Sequence, residues 1–267
     1  MLTVKHYSAG DNDWLVKRFE VFRSDGCRLV EKFIPRTDIS IVFHFGDLPA
    51  VAGERPVLLE PFFAAPIVPE ALLLNLDGVS DTFIAICNPT ALSRTFGLDL
   101  TPRGKYGIDL PRDLFYPLWK EMSKLSTAKE RIISFNRFVK NLQSGPYIKD
   151  KVDIAYEKIV EKGITFSLKE IIHECGASQR TMERLFLKRT GVTPKTLVRV
   201  IRLNYLWNKM KNANPVDYQD MVFDGRYFDQ AHFINDFKSI TGETPGCFFG
   251  RNLYRVKIMS GEIEGNL

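Results

Sequence analysis

The sequence of 267 residues contains no uninterrupted apolar run that approaches the roughly 20 residues needed for a membrane-spanning helix. Its N-terminus, residues 1–10, also lacks the basic segment followed by an apolar run that marks a secretory signal. These absences predict a cytoplasmic protein that does not associate with membranes.

Cysteine and histidine are scarce, with four residues of each type. No C-x-x-C pair and no neighbouring histidine pair suggests a zinc site, and the cysteines lie far apart, at Cys27, Cys87, Cys175 and Cys247. We expect reduced, mostly buried thiols, and neither a metal nor a cofactor.

The sequence motifs of common enzyme classes are also missing. There is no nucleophile elbow, zinc-protease motif, phosphate-binding loop or dinucleotide-binding glycine motif. The protein is therefore not expected to be an enzyme. His44 alternates with apolar residues in the segment from Ser40 to Phe45. It is expected to be a packed strand residue, and the alternative is a ligand contact inside a barrel.

Positive charge is concentrated in one segment. Ten lysines and arginines but only three glutamates lie between Ile164 and Asn212, a net charge of +7, whereas the whole chain carries +5 and the remainder −2. Such a patch attracts a polyanion such as nucleic acid. A solvated basic surface without a partner is the alternative that charge alone leaves open.

The pattern of apolar residues changes near residue 110. Before this point, short apolar or alternating runs between turn residues predict strands over Trp14–Phe22, Ile39–Phe45, Leu72–Leu76 and Thr82–Ile86. After it, spacings of three and four predict helices over Asp113–Lys124 and Thr127–Gln143. The stretch from Ser144 to Tyr147, which contains glycine and proline, predicts a boundary between domains of residues 1–145 and 146–267.

Two helix-turn-helix units are predicted in the second domain. Ser167 and Ser178 are placed to cap two short helices on either side of Gly176, the second spanning Gln179–Thr190 and ending at Gly191. The spacing Ser178-x3-Met182-x3-Phe186-x4-Gly191-x-Thr193-Pro194 returns as Asp229-x3-Phe233-x3-Phe237-x4-Gly242-x-Thr244-Pro245. A long helix predicted over Pro194–Asn212 links the copies, so that their second helices could enter successive major-groove segments of DNA. The spacing of the aromatic residues assigns them to the core rather than to base stacking: Phe186, Trp207, Phe233 and Phe237.

The segment from Tyr227 to Lys238, followed by Thr241-Gly-Glu-Thr-Pro245, resembles the signature of the AraC/XylS family of bacterial regulators. The resemblance covers residues 150–255 and implies an α+β protein. Its N-terminal domain would be β-rich and barrel-like (cupin-like) with flanking helices, and its C-terminal domain all-α with two helix-turn-helix units. The resemblance also implies a transcription factor that binds double-stranded promoter DNA as a homodimer, is nucleoid-associated when bound, and has RNA polymerase as a candidate further partner.

Two features depart from the family pattern. Ile172 and Val222 occur where the family commonly has alanine, so the helices of each unit would spread or require smaller neighbours. Arg226 occurs where the second turn usually has glycine, with Gly225 one residue earlier. This turn is either a tolerated variant, or re-registered around Gly225, or brings an extra positive charge to the phosphate backbone.

The side chains predicted to contact DNA lie on the exposed face of the second helix of each unit. In the first unit they are Gln179, Arg180, Glu183, Arg184 and Lys188, and in the second they are Gln230, Ala231, His232, Asn235 and Lys238. Arg184 is the leading candidate because arginine can bind guanine O6 and N7 together, and its alternative is a surface ion pair with Glu183 or Glu174. Lys188, Lys238 and Arg199 suit phosphates, whereas His232 either contacts a phosphate or packs its ring.

The N-terminal domain has two possible roles at this stage: it either binds a small-molecule effector or only holds two chains together. The apolar face of residues 127–143 either forms the dimer interface or packs on its own barrel. A partner-binding module that keeps the scaffold without DNA function is the rival hypothesis. Such a module has no reason to keep a basic face on residues 179–190.

Overall fold

The computed structural model describes residues 2–10, 13–104, 106–142, 146–210 and 218–266, without the side chains of Cys27 and Tyr218. The N-terminal part comprises β1 Leu2–Ser8, β2 Val16–Phe33, β3 Ile39–His44, β4 Ala50–Val51, β5 Val57–Leu58, β6 Phe62–Ala65, β7 Leu72–Cys87, α1 Pro89–Phe96, α2 Arg112–Met122 and α3 Ala128–Leu142. The C-terminal part comprises α4 Lys151–Lys162, α5 Leu168–Glu174, α6 Gln179–Thr190, α7 Pro194–Met210, α8 Tyr218–Asp224, α9 Gln230–Thr241, α10 Pro245–Phe249, α11 Tyr254–Met259 and β8 Gly265–Asn266.

The strands of the described ranges form one antiparallel sheet in the order β5-β4-β7-β2-β1-β8, and β3 bridges β7 and β6. The longest strands, β2 and β7, pair from Val16 opposite Cys87 to Phe33 opposite Leu72. Because side chains alternate between the two faces of a strand, Phe83 on β7 packs in a helical core whereas Thr82 lines a cavity on the opposite face. The predicted α+β class with a β-rich N-terminal domain is confirmed.

The segments Leu72–Leu76 and Thr82–Ile86, predicted as separate strands, belong to the single strand β7. Gly78 lies between them with a φ of 104°, and the carboxylate of Asp47 occupies the space that a side chain there would need. The register of β2 shifts between Asp25 and Cys27, opposite this glycine. The glycine therefore permits a bulge rather than a turn, and both strands continue through it.

Helices α2 and α3 pack on the face of the sheet opposite the cavity. Phe135 and Val139 of α3 are buried in the same core as Phe83. Arg131, also on α3, forms two hydrogen bonds to the Asp81 carboxylate on β7, of 2.7 and 2.8 Å. The apolar face of α3 thus packs on its own sheet, as the second sequence alternative expected, and does not provide an exposed dimer interface.

The C-terminal helices enclose two hydrophobic cores that share the long helix α7. Leu197 and Ile201 belong to the core of the first unit, and Leu206 and Trp207 to the core of the second. The predicted bounds of α6 are confirmed, whereas α7 ends within the described residues at Met210. Lys211 and Asn212, predicted to end that helix, lie outside the described residues, as do Ser144 and Gly145 at the predicted domain boundary.

The last segment of the chain returns to the N-terminal sheet. Ile258 and Met259 of α11 are buried beside Leu2 and Val4, and β8 pairs with β1. The helix-turn-helix helices consequently lie between two segments of chain that are both fixed to the same sheet.

Within the ranges described, no helix is both long and apolar enough to cross a membrane. The same ranges contain no group of His, Cys, Asp or Glu residues arranged to hold a metal ion. Three cysteine side chains are described and all are free: Cys87 is buried, Cys175 half-buried and Cys247 exposed. The expectation of mostly buried thiols is therefore wrong for Cys247.

Candidate nucleic-acid interface

The first helix-turn-helix unit consists of α5 and α6. Ser167 Oγ accepts a hydrogen bond from Glu170 N (3.4 Å), and Ser178 Oγ accepts one from Thr181 N (3.2 Å), so each serine caps its helix. Gly176 between them has a φ of 62°, in the left-handed region that favours glycine. Met182 and Phe186 are fully buried on one face of α6, which directs the opposite face to solvent.

The predicted contact residues of the first unit are all exposed on this opposite face: Gln179, Arg180, Glu183, Arg184 and Lys188. Gln179 Nε2 donates a hydrogen bond to Glu183 Oε1 at 3.0 Å. Neither Arg180 nor Arg184 forms a hydrogen bond or ion pair with another described residue. Glu174, one of the two partners expected for Arg184, is instead bound to Lys158 Nζ at 2.7 Å. The expected alternative for Arg184, a surface ion pair, is not formed, and both guanidinium groups are available to a ligand.

Two other arginines of the basic segment, Arg189 and Arg199, are already paired with carboxylates. Arg189 is buried, and its guanidinium binds Asp150 (2.8 Å) and Asp153 (3.1 Å). Arg199 binds Asp236 Oδ1 (2.8 Å) and Ser239 Oγ (2.7 Å), so it holds α7 against α9. The expected contact of Arg199 with a phosphate stays a prediction, because the guanidinium is bound to Asp236 but remains partly exposed.

The second unit consists of α8 and α9, and its turn contains Arg226. Arg226 has a φ of 52° and lies two residues after the end of α8, just as Gly176 lies two residues after the end of α5. At Gly225 a Cβ atom would lie 2.8 Å from Met221 O and 2.6 Å from the Tyr227 ring, so this site accepts only glycine. The turn is not re-registered around Gly225: Arg226 itself takes the left-handed conformation, at a cost of about 1–2 kcal/mol.

The predicted contact residues of the second unit are also exposed: Gln230, Ala231, His232, Asn235 and Lys238. Asp229 caps α9 by accepting a hydrogen bond from His232 N at 2.7 Å. The His232 ring stands edge-on to the Tyr227 ring, with 5.2 Å between centroids, which agrees with the packed-ring alternative.

Two exposed phenylalanines flank the second turn and were missed by the sequence analysis. Phe223 on α8 is 84% exposed and Phe228, directly before the cap of α9, is 92% exposed. The spacing of aromatic residues in this stretch does not predict which are exposed and which are buried, because Phe233 and Phe237 lie in the same aromatic-rich stretch. The assignment of Phe186, Trp207, Phe233 and Phe237 to the core is confirmed by their burial.

Both recognition helices, α6 and α9, end against the N-terminal part. Leu100 N donates a hydrogen bond to Lys188 O (2.8 Å), and Ala71 N donates one to Ile240 O (2.7 Å). The ammonium of Lys32 on β2 also donates to Thr241 O at 2.6 Å. These donors satisfy carbonyl groups at the last turn of each helix and hold both helices against the N-terminal part.

The chain is similar to a known domain family and to solved structures. Residues 171–251 match a family model described as a helix-turn-helix domain. No curated protein matches the chain. A 1.65 Å structure of ToxT from Vibrio cholerae is similar at 14% identity and a TM-score of 0.43, over 93% of this chain and 98% of that one. ToxT from Vibrio cholerae O395 bound to (E)-4-(8-methylnaphthalen-1-yl)but-3-enoic acid is similar at 13% identity and a TM-score of 0.43, over 93% and 98%.

The matched residues, 171–251, extend from α5 to just beyond α10 and so contain both recognition helices. The protein is a DNA-binding transcription regulator whose helix-turn-helix units lie in its C-terminal part. The match contains the repeated motif and the segment from Tyr227 to Pro245 that resembles the signature of the AraC/XylS family.

Proposed function

We propose that the protein binds a specific promoter sequence by inserting α6 and α9 into the major groove of DNA. The observation that carries this proposal is the difference between the arginines of the basic segment. Arg189 and Arg199 have carboxylate partners, whereas Arg180 and Arg184 on the exposed face of α6 have none among the described residues. An unpaired arginine near the start of a recognition helix is suited to bind guanine.

The remaining contacts follow from the chemistry of each exposed side chain. On α6, Arg184 and Arg180 bind guanine edges, and Gln179 and Glu183 contact neighbouring bases. On α9, the amides of Gln230 and Asn235 bind adenine, and the Ala231 methyl group contacts thymine. Two lysines, Lys188 and Lys238, bind phosphates and thereby fix the register of the protein on DNA. His232 remains exposed although its ring packs edge-on to Tyr227, and from that position it adds a phosphate contact.

In this proposal the domain of residues 1–145 senses an effector and dimerises, and the domain of residues 146–267 binds DNA. An effector in the sheet cavity would act by favouring one arrangement of these parts over another. The hydrogen bonds from Leu100 to α6 and from Ala71 to α9 support such coupling, since they join the part that would bind the effector to both recognition helices. In the cell the homodimer would be cytoplasmic and would associate with the nucleoid when bound to DNA. RNA polymerase would be a further partner, and the protein would catalyse no reaction.

Selection from a pool of random DNA duplexes tests the proposal. The wild type should enrich one motif, and Arg184→Ala should relax that motif at defined base positions. Arg112→Ala, which removes an exposed arginine from α2, serves as the matched control and should select the wild-type motif. Enrichment of no motif by the wild type would contradict sequence-specific binding.

The size of the protein in solution tests dimerisation separately. Sedimentation at micromolar concentration should give about twice the chain mass of 30.6 kDa. A monomer at that concentration would overturn the homodimer without affecting the assignment of the DNA-contacting residues.

A further inference from the structure

The turn that precedes α9 is one residue longer than the turn that precedes α6. Three residues, 175–177, separate α5 from the capping serine of α6, whereas four residues, 225–228, separate α8 from the capping aspartate of α9. The residue directly before the cap in the first unit is Ala177, which is partly buried against the core. In the second unit it is Phe228, whose side chain is 92% exposed. The second unit therefore presents a large apolar side chain to solvent where the first unit has a small, packed one.

Phe228 lies outside the core of its own unit. A residue directly before a helix cap often packs against the fourth residue of that helix, which in α9 is the buried Phe233. Here Tyr227 packs against Phe233 instead, with 5.3 Å between the ring centroids. Tyr227 is itself buried, and its hydroxyl group donates a hydrogen bond to Asp236 Oδ2 at 2.9 Å. Packing of the second unit therefore does not require an apolar side chain at Phe228.

The position of Phe228 is continuous with the face of α9 that is proposed to contact bases. Gln230 and Ala231, the first two residues of α9, are exposed and follow Phe228 after the capping residue. In a helix-turn-helix unit the start of the second helix contacts base edges, whereas the first helix crosses the phosphate backbone. The other exposed phenylalanine, Phe223, belongs to the first helix, α8. Phe228 rather than Phe223 is therefore placed to reach a base edge.

The charges around Phe228 are compatible with a polyanion. The two acidic residues that bracket the turn are engaged within the protein: Asp224 pairs with Lys209, and Asp229 accepts a hydrogen bond from His232 N at 2.7 Å. Arg226, two residues before Phe228, is exposed. Its positive charge favours the approach of DNA to this turn.

We propose that Phe228 recognises a thymine by packing its ring against the C5 methyl group in the major groove. Thymine is the base that presents an apolar methyl group in this groove, and a phenyl ring can contact it without a hydrogen bond. The contact removes apolar surface of both groups from water, which favours binding. The inference rests on the proposed insertion of α9 into the major groove and adds to it a residue that determines specificity.

Replacement of single thymines in the selected DNA site by deoxyuridine tests the proposal, because it removes the methyl group and keeps the base pair. At one thymine the full chain should bind the substituted duplex about fourfold more weakly, the effect of one methyl group lost from an apolar contact. Phe228→Ala should bind these two duplexes equally. Phe228→Leu, which keeps an apolar side chain, should retain part of the discrimination. A thymine contacted by Ala231 should remain sensitive to its methyl group in Phe228→Ala.

Phe223→Ala, which removes the other exposed phenylalanine, is the matched control and should discriminate thymine from uracil like the wild type. Circular dichroism establishes that each variant is folded. If every thymine that is sensitive to its methyl group in the wild type is equally sensitive in Phe228→Ala, or if the wild type shows no such thymine, the inference is overturned. Enrichment of no motif by the wild type would instead overturn the DNA-binding proposal, so the two failures are distinguishable.

Discussion

The Nη2 atom of Arg189 lies 3.1 Å from Oδ1 of Asp153 and so joins the last turn of recognition helix α6 to the first turn of α4. Asp153 is buried, and Arg94 of α1 donates to its other carboxylate oxygen at 3.0 Å. Arg189 also donates to Thr90 O at 3.1 Å. One buried carboxylate therefore connects the first recognition helix, the first helix of the DNA-binding part and the N-terminal part.

Arg189→Ala should lower the free energy of unfolding by roughly 3 kcal/mol, because it removes one partner of a buried ion pair. Urea denaturation measures this change. The control is Arg180→Ala, which removes an exposed arginine from the same helix and should change stability by less than about 0.5 kcal/mol. Equal stability of the two variants would show that the Arg189 network does not hold the domains together.

The stability of the protein should depend on pH through Glu20. Burial raises the pKa of Glu20 from 4.5 to about 7, although the neighbouring Arg18 acts in the opposite direction. Between these values the folded chain retains a proton that the unfolded chain has lost, so the contribution of Glu20 to stability falls as pH rises. The total change is on the order of 3 kcal/mol, since each pKa unit corresponds to about 1.4 kcal/mol.

Glu20→Gln isolates this contribution. Urea denaturation measures the free energy of unfolding at pH 4.5 and at pH 7.5. The decrease between these two pH values should be smaller for Glu20→Gln than for the wild type. If both proteins lose the same stability over this interval, Glu20 does not titrate as described.

Arg226→Gly should stabilise the fold while it weakens DNA binding. Glycine adopts the observed φ of 52° without steric cost but loses more backbone entropy on folding than arginine does, so the free energy of unfolding should rise by a net amount of up to about 1 kcal/mol. Loss of the exposed guanidinium should reduce affinity for all duplexes alike if it contacts the phosphate backbone. Thermal denaturation and DNA titration measure the two effects. Stabilisation with unchanged affinity would support the tolerated-variant alternative instead.

Lys238→Ala should reduce the salt dependence of DNA binding. Each phosphate contact contributes about 0.9 to the slope of log affinity against log salt concentration, so the slope should become shallower by about that amount. Lys188→Ala should have the same effect, whereas Arg112→Ala should have none. Titrations at several salt concentrations measure the slope, and an unchanged slope in either lysine variant would remove that residue from the phosphate contacts.

The local features of the recognition helices could be predicted from sequence because each is set by nearby residues. Ser178 caps α6, and Gly191 after it has a φ of 82°, so the two residues bracket the helix as predicted. The single strand β7 could not be predicted in this way. Its bulge at Gly78 is stabilised by Asp47, which lies in a distant loop and accepts a hydrogen bond from Val79 N at 2.7 Å.

The ion-pair partners of the buried and half-buried arginines could not be predicted from the sequence either. Arg189 lies three residues after buried Phe186, so helical spacing already placed it on the packed face of α6 and could have identified it as buried. Its partners on α4 and α1 come from distant parts of the chain and needed the tertiary structure. Arg199 pairs with Asp236, 37 residues later, for which local spacing gives no signal.

The most direct test of sequence reading by α6 measures binding free energies for the wild type and for Arg184→Ala. Each protein is titrated with the selected site and with sites that carry single base-pair substitutions. The wild type should lose about 1–3 kcal/mol of binding free energy when the contacted guanine pair is replaced. Arg184→Ala should bind the original and the substituted site equally, while it still discriminates at the other positions. Equal discrimination by both proteins at every position, with only a uniform loss of affinity in the variant, would contradict the claim that Arg184 reads a base.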